Sequence, residues 1–581
     1  MKASFINAKA GKALRFSALA YSIALLLPPT LAAFAANGPD ARSQKQEAKS
    51  SGQASQKRTY DNKEILHMLN RVSFGPAPGD LERVKRMGVE AYLKEQLNPS
   101  SIQQPEELEK ICNVPALTES PAQLFLTYGR PALKAIATKS GSDNPADKKE
   151  LQKALRESYQ FLYEDTARAR LARAVESPAQ LQEVMTDFWY NHFNISVDKN
   201  LDHLWVGSFE EAAIRPHALG KFRDLLGATA HHAAMLFYLD NWQNTSADSP
   251  MAKGRKGRFQ GINENYAREL MELHTLGVDG GYTQKDVQEL ARVLTGLGLP
   301  PGAGGGFGNN NPAQRLKDAA ELGQGDMSMQ LQRRAQGRQG IFETGAAMAG
   351  KPDLNNKLGS YFDSRRHDFG KKLILGYRID GSGEDEIEQV LTILAKQPAT
   401  AKHISYKLAQ YFVSDTPSAE LVDKLANRYL ESDGDISAIL NTLFHSQEFW
   451  DSKAINAKFK SPYRYLISSL RATNGQIDNV KPSLGVLSQL GMPLYKCLTP
   501  DGYKNTKEAW LNPDNLLNRI NFATAYGVGR FPGIKPNLRD PAAVADCLGP
   551  TLSDQTLDTV MSAPENMRIS LLLGSPEFMK Y

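Results

Sequence analysis

Apolar residues recur at helical spacing along most of the chain, and strand-like alternation of apolar and polar residues is nearly absent. After His367 four apolar stripes follow one another with short connections, which is typical of antiparallel neighbours in a bundle. The stripes are formed by Ile387, Val390, Leu391 and Leu394; by Ile404, Leu408 and Phe412; by Leu421, Leu425 and Tyr429; and by Ile436, Ile439, Leu440 and Leu443. The pattern predicts an all-α fold with a bundle-like core of antiparallel helices.

Segments that lack this periodicity divide the chain. Residues 36–59 are polar and contain no large apolar side chain, so we expect a disordered leader there. Residues 299–359 are rich in Gly, Asn and Gln, which predicts a long surface insertion. We therefore expect a main α-helical domain over residues 60–475, interrupted by the insertion, and a C-terminal helical segment over residues 476–581 that packs on it.

The stretch Gly261–Gly296 carries the clearest start and stop signals of the chain. Asn263 can cap a first helix that we expect to run to about Thr275, because its apolar residues follow the spacing of one helix face. Thr283 and Asp286, three residues apart, form the pattern of a capping box for a second helix. A glycine in the position that commonly ends a helix closes the stretch. The signals predict a helical hairpin.

The first helix of this hairpin places Glu264, Arg268 and Glu269 close together on its polar side. One interpretation is an ion-pair ladder on a solvated face, in which each pair contributes only tenths of a kcal/mol. The other is a catalytic site in which neighbouring carboxyl groups have pKa values displaced in opposite directions, so that one acts as an acid and another as a base. The helix alone favours the ladder, because charged helix faces are common.

Other candidate site residues follow helix ends. His192 closes an apolar stripe, where it can either face a pocket or point into the core with its ring nitrogens bonded to the backbone. Arg215 and His217 flank Pro216, Asp240 and Asn241 precede Trp242, and Arg258 belongs to a glycine-containing basic loop; each of these places suits ligand binding. We select as candidate catalytic residues His192, Glu264, Arg268 and Glu269, and as candidate substrate-binding residues Arg215, His217, Asp240, Asn241 and Arg258.

NENYARELMELHTLGVDGGYTQKDVQELARVLTG, which starts at Asn263, resembles the central signature of a large bacterial family known as domain of unknown function 1800. Other stretches match the family pattern in the same order: HMLNRVSFGPAPGDL from His67, FWYNHFNIS from Phe188, RPHALGKFRDLL from Arg215, MLFYLDNW from Met235, HDFGKKLILG from His367 and FHSQEFW from Phe444. The resemblance covers nearly all of the chain after about Tyr60. It implies membership of a family whose activity is not established.

The N-terminus predicts export. Four cationic residues within residues 1–15 precede an apolar run over residues 16–27, and Ala33-Phe34-Ala35 supplies the small residues that a signal peptidase prefers. The run is too short for a comfortable membrane span, and no twin arginine is present. We expect residues 1–35 to be a cleaved Sec-type signal peptide, and the protein to be periplasmic or secreted without an integral membrane span.

Net charge and cysteine usage exclude several classes of partner. Residues 1–35 carry four positive charges and no acid, so the net charge of +5 falls to +1 without them. Overall charge therefore gives no support to a nucleic-acid partner. The three cysteines have no metal-thiolate spacing, although Cys497 and Cys547 could pair in an oxidising periplasm while Cys112 stays free.

Several enzyme motifs are missing from the sequence. It contains no G-x-S-x-G elbow, no H-E-x-x-H and no nucleotide-binding glycine motif. Glu and His do not occur at the i, i+3 or i, i+4 spacing of a metal-ligand pair among the candidates, so we predict no metal site, and no motif indicates a cofactor.

Two functions remain open. If the candidate residues converge, the simplest reaction is acid–base hydrolysis or lysis of an extracytoplasmic polymer. The alternative is a non-catalytic envelope scaffold or ligand-binding protein whose polar clusters are structural networks. The partner that fits is an envelope polysaccharide or an envelope protein.

Overall fold

The computed structural model of this protein describes residues 58–129, 145–249, 252, 261–300, 353–537, 540–549 and 552–581. The predicted signal peptide, nearly all of the predicted leader and most of the predicted insertion lie outside these residues. Residues Thr59–Tyr581 form one compact unit, and it is this unit that the structure describes.

Helices dominate the described chain, as the apolar stripes predict, so the all-α expectation is confirmed. In chain order the α-helices are α1 (Asn62–Val72), α2 (Asp80–Met87), α3 (Val89–Gln96), α4 (Glu106–Cys112), α5 (Pro115–Thr118), α6 (Pro121–Tyr128), α7 (Pro145–Glu176), α8 (Gln180–His192), α9 (Asp202–Ser208), α10 (Phe222–Ala230), α11 (Ala233–Tyr238), α12 (Asn265–Glu272), α13 (Gln284–Val293), α14 (Glu384–Ala395), α15 (Pro398–Phe412), α16 (Ala419–Glu431), α17 (Ile436–Phe444), α18 (Pro462–Ala472), α19 (Val480–Gln489), α20 (Lys507–Trp510), α21 (Pro513–Gly527), α22 (Pro541–Leu548), α23 (Asp554–Ser562) and α24 (Glu565–Gly574).

Short non-α elements occur between these helices. A π-helical stretch, Phe209–Ile214, continues α9, and 3-10 turns cover Pro99–Ser101, Arg215–His217, Asn241–Gln243 and Ser364–Arg366. The strands of the described chain form antiparallel pairs of two or three residues each. The pairs are β1 (Leu297–Gly298) with β2 (Tyr361–Phe362), β3 (Lys372–Ile374) with β4 (Tyr377–Ile379), and β5 (Gln476–Ile477) with β6 (Ile534–Lys535).

One apolar core runs from α1 to the residues after α24. The four stripes predicted after His367 become α14 to α17, and every residue assigned to them is buried. α15 packs against α16, and α21 packs against α24. Trp189 on α8 and Trp205 on α9 are among the largest fully buried side chains. α8 therefore lies deep in the core, where most of its side chains are buried.

The hairpin of the signature stretch forms with shifted ends. α12 starts at Asn265 and ends at Glu272, so it is shorter than predicted at both ends. The Asn263 side chain instead accepts a hydrogen bond from the Asn265 N–H at 3.0 Å, which caps the turn before the helix. The capping box of Thr283 and Asp286 at the start of α13 is confirmed.

Two further sequence questions have answers in the fold. No helix within the described ranges combines the length and the apolar character that a membrane span requires. Cys112, Cys497 and Cys547 are all buried free thiols, so the pair considered for Cys497 and Cys547 is not formed.

Candidate functional site

A cavity of about 200 Å³ lies between α8, α15 and the loop that precedes α20. On α8 its wall residues stand four positions apart, and on α15 they stand three and four positions apart, so each helix presents one face to the cavity. The cavity is lined by Asp187, Phe188, Asn191, His192, Lys407, Gln410, Tyr411, Ser461, Met492, Asp501, Tyr503, Lys504 and Asn505.

The loop before α20 is fixed to α8 through Asn191. The Asn191 side chain accepts a hydrogen bond from the Tyr503 N–H at 2.7 Å and donates one to the Tyr503 carbonyl at 2.8 Å. Gly502 has a φ of +70°, and a Cβ at this position would clash with the Asn191 carbonyl. This close approach, possible only for glycine, brings Asp501 and Lys504 to the cavity.

His192 and Lys407 form a hydrogen-bonded pair in the cavity wall. His192 Nε2 lies 3.1 Å from the His274 carbonyl oxygen, and Lys407 Nζ lies 2.9 Å from His192 Nδ1. A carbonyl oxygen only accepts, so Nε2 carries the proton and Nδ1 accepts from the lysine. Burial, together with Lys407, His274 and His403, holds the pKa of His192 well below its ordinary value. The neutral imidazole therefore positions the lysine.

Among the described residues, Lys407 has no acidic partner. It is partly buried and forms no ion pair with any carboxylate of the described residues. Burial lowers the pKa of Lys407 to about 8, while Asp501 acts in the opposite direction. A pKa of about 8 leaves the side chain mostly protonated at neutral pH. Within the part of the chain that the structure describes, the cavity thus contains an ammonium group that forms no ion pair.

Asp187 belongs to a buried network of arginines and acids. Arg170 donates hydrogen bonds of 2.6 Å to both Asp187 and Glu210. Arg215 binds Glu183 at 2.6 Å and Glu210 at 3.3 Å. Arg173 completes the network through Glu211, whose partners also include Arg215. Glu210 and Glu211 lie in the π-helical stretch, an irregularity that is frequent at functional sites.

The arginines and acids around Asp187 are equal in number. Arg170, Arg173 and Arg215 bind Asp187, Glu183, Glu210 and Glu211, and the charge of the buried Arg464 also acts on Asp187. Burial nevertheless raises the pKa of Asp187, against the effects of Arg170 and Arg464. Because Asp187 also faces the cavity, it is the member placed to exchange a proton with a ligand.

Asp501 is the second acid of the cavity. Lys504 donates a hydrogen bond of 2.6 Å to its carboxylate. Burial acts to raise the pKa of Asp501, but hydrogen bonds from Lys504 and Thr499 hold it below its ordinary value. One cavity therefore contains two carboxyl groups whose pKa values are displaced in opposite directions.

The residues predicted to be catalytic occupy different places. Only His192 lines the cavity. Glu264 and Arg268 form a partly exposed ion pair of 3.2 Å, and both bind Gln284 of α13, an arrangement that matches the ladder interpretation. Glu269 is half-buried, burial raises its pKa, and the charge of Asp501 acts on it from the cavity side.

The residues predicted to bind substrate are dispersed. The Arg215 guanidinium is buried among glutamates, and His217 lies partly buried on the adjacent 3-10 turn, away from the cavity wall. Asp240 forms an ion pair of 3.1 Å with a lysine. Asn241 is buried and donates to two backbone carbonyls near β1. Arg258 lies outside the described residues.

Sequence reasoning missed Asp187, Lys407 and Asp501. Asp187 is followed by Phe188, and Lys407 is followed by Leu408, and each of these apolar residues belongs to the buried face of its helix. This position is a weak signal in the sequence that the two polar side chains lie close to the core. Asp501 belongs to the turn sequence Thr-Pro-Asp-Gly, which predicts only a loop.

Comparison with known proteins gives a family but no reaction. The sequence profile described as "Protein of unknown function (DUF1800)" matches residues 67–580. The chain belongs to the DUF1800 family. No curated protein and no solved structure matches this DUF1800 chain. Across the described part of the DUF1800 chain, His, Cys, Asp and Glu side chains form no group of three that could hold a metal ion.

Arg215 provides a test of the buried network. Replacing Arg215 by Met leaves Glu183 and Glu210 without their shared cation, so we expect Arg215→Met to lower the free energy of unfolding by about 3–5 kcal/mol. Arg268→Met, which removes a partly exposed pair, should lower it by less than about 1 kcal/mol. Urea unfolding followed by circular dichroism measures both. A stable Arg215→Met variant that loses ligand binding would instead support the substrate-binding role.

Buried neutral histidines predict acid sensitivity. Burial lowers the pKa of His67, His232 and His274 to about 3 and that of His403 to about 4, and it holds that of His192 well below the ordinary value. In the unfolded chain these histidines have a pKa of about 6.5, so below that pH the unfolded chain binds more protons than the folded chain. The stability that the neutral histidines contribute is therefore fully present above about pH 6.5 and is lost as the pH falls. Five such groups give a slope of up to about 7 kcal/mol per pH unit. We expect unfolding between about pH 6 and pH 4.

The melting temperature at each pH measures this loss. His232→Asn keeps a side chain that can cap α11 and should weaken the pH dependence. His445→Gln is the control, because the pKa of this exposed histidine is raised by its hydrogen bonds to Asn441 and Glu90, against the effect of burial. An unchanged pH dependence in His232→Asn would contradict the argument.

Proposed function

We propose that this DUF1800 protein is an exported enzyme that cleaves an extracytoplasmic polymer by acid–base chemistry in the cavity between α8 and α15. The observation that carries the proposal is the pair Asp187 and Asp501, two carboxyl groups on one cavity with pKa values displaced in opposite directions. Such pairs divide the acid and base roles of many active sites.

The two carboxyl groups have distinct roles in this proposal. Asp187 is held by Arg170, and its raised pKa favours the protonated form. It donates this proton to the oxygen of the leaving group. Asp501, kept ionised by Lys504, accepts a proton from the attacking water. Asp187 ends ionised and Asp501 ends protonated, and exchange with solvent restores both. Hydrolysis is favoured over lysis, because a pair of carboxyl groups is the usual machinery of glycosidic bond hydrolysis.

His192 and Lys407 prepare the cavity for this reaction. His192 is a positioning residue, since both of its ring nitrogens are occupied by hydrogen bonds. Lys407 supplies a positive charge at the wall. The partner of this site is an envelope polysaccharide rather than a nucleic acid.

A non-catalytic envelope scaffold is the second candidate. This candidate is favoured because several predicted site residues use their polar groups in hydrogen bonds and ion pairs within the protein. Examples are Arg215, Asn241 and the Glu264–Arg268 pair. In that case the cavity would bind without turning over a substrate.

Substitution of the two acids tests the enzyme proposal. We expect Asp187→Asn and Asp501→Asn each to lower kcat by about 10²- to 10⁴-fold while leaving the circular dichroism spectrum unchanged. Asparagine keeps a side-chain oxygen that can accept the hydrogen bond from Arg170, so the fold should tolerate Asp187→Asn. The assay is the release of reducing ends from a panel of bacterial envelope polysaccharides. Activity should follow a bell-shaped pH profile, rising as Asp501 ionises and falling as Asp187 ionises.

Asp198→Asn is the matched control, because Asp198 is exposed and pairs with Lys496 at 3.4 Å away from the cavity wall. It should retain full activity. Products with a new double bond would assign lysis. A wild-type protein that cleaves no polymer of the panel at any pH would overturn the enzyme proposal in favour of the scaffold.

Export has its own test. The cationic residues, the apolar run and the Ala33-Phe34-Ala35 site support cleavage after residue 35. We expect the protein from the periplasm or the medium to begin at Ala36, as measured by intact mass. Leu25→Arg interrupts the apolar run and should leave the uncleaved precursor in the cytoplasm. A periplasmic or secreted protein that retains residues 1–35 would contradict the cleaved signal peptide.

A further inference from the structure

Lys407 is the unusual charge of the cavity. An ammonium group out of full contact with water is costly unless an anion or several hydrogen-bond acceptors satisfy it. Its observed acceptor is the neutral His192, at 2.9 Å. The nearby imidazoles of His274 and His403 are also neutral, because burial lowers the pKa of each. Within the described residues, Lys407 therefore has one hydrogen-bond acceptor and forms no ion pair, although the charge of Asp501 acts on it across the cavity.

The other charges at the cavity wall are already paired. Asp501 binds Lys504 at 2.6 Å, and Asp187 binds Arg170 at 2.6 Å. The other lining residues, among them Gln410 and Ser461, are uncharged. Within the described residues, one positive charge at Lys407 is left for a ligand to neutralise.

The size of this charge selects the ligand. A carboxylate carries a single negative charge and matches one ammonium group. A phosphate monoester carries about −1.5 to −2 charges at neutral pH and would leave excess negative charge beside Asp187 and Asp501. The cavity also offers polar groups together with the rings of Phe188 and Tyr503, a mixture that suits a sugar ring.

We infer that the cavity recognises an acidic sugar of the uronic-acid type, whose carboxylate pairs with Lys407 while His192 holds the lysine in place. The inference rests on the proposed function and names its substrate class: a polysaccharide that contains uronic-acid residues. Arg215 and Arg268 do not serve this purpose, because both already bind carboxylates.

Binding measurements on a variant without turnover test this inference. Isothermal titration of full-length mature Asp187→Asn with galacturonic-acid and glucuronic-acid oligomers is compared with titration of neutral galactose and glucose oligomers of equal length. We expect the acidic oligomers to bind at least tenfold more tightly. Adding Lys407→Met should remove this preference, and adding Lys407→Arg should keep part of it, since the charge remains.

Lys496→Met is the matched control, because Lys496 is partly exposed and pairs with Asp198 outside the cavity wall. It should leave the preference unchanged. If Lys407→Met fails to fold, carbon-13 lysine labelling of the Asp187→Asn protein gives the same information. The Lys407 signal should titrate at higher pH when galacturonic-acid oligomers are bound and should not move with neutral oligomers.

Failure of the inference and failure of the proposed function give different results. Equal binding of acidic and neutral oligomers, or tighter binding of sugar phosphates, overturns the inference, and cleavage of a neutral polymer would still support the enzyme. A Lys407-dependent preference for uronic-acid oligomers without cleavage of any polymer supports the inference and overturns the enzyme.

Discussion

The double hydrogen bond of Arg170 is the interaction on which the site depends. Arg170 extends from α7 and binds Asp187 of α8 and Glu210 of the π-helical stretch. Its guanidinium also lies about 5 Å from the rings of Tyr190, Tyr463 and Tyr495, at 5.1, 5.1 and 4.9 Å. One cation thus joins early helices to α18 and to the loop after α19. Arginine suits this role because its planar fork reaches several acceptors and stacks on aromatic rings.

The same network explains how a buried carboxyl group can keep a proton beside an arginine. Arg170 divides its charge between two acids, and Arg215 is held by Glu183 as well as by Glu210. The charged form of Asp187 is therefore stabilised less than it would be by an arginine that paired with Asp187 alone. Burial then decides the direction of its pKa shift. The raised pKa of Asp187 thus depends on the geometry of the whole network rather than on a single contact.

Local signals of the sequence predicted the helices well because they act over a few residues. The four stripes after His367 and the capping box of Thr283 and Asp286 were correct in residue and position. The ends of α12 were less predictable, since Asn263 and the residues after Glu272 bond to other parts of the chain. Propensity alone does not contain these tertiary contacts.

The site was harder to predict because its members come from distant segments. A pair of carboxyl groups with opposite pKa shifts was an interpretation offered for the polar side of α12, whereas the structure places such a pair at Asp187 and Asp501. No spacing in the sequence relates these two residues, since their proximity depends on Asn191 holding the loop at Tyr503. The burial of Arg215 in ion pairs was equally hard to predict, because its partner Glu183 lies on α8, a separate element of the chain.

In their ionised forms Asp187 and Lys407 carry opposite charges, and they line one cavity and lose solvation on burial, yet they form no ion pair with each other. Pairing would offset much of the desolvation penalty of each group. Each is bound to its own anchor instead, Asp187 to Arg170 and Lys407 to His192. The two anchors sit on different helices, Arg170 on α7 and His192 at the end of α8, so each group is held in its own place. The separation leaves space between the Asp187 carboxyl group and the Lys407 ammonium group. A ligand that contacts both groups can therefore form the stabilising interactions that the two side chains do not form with each other.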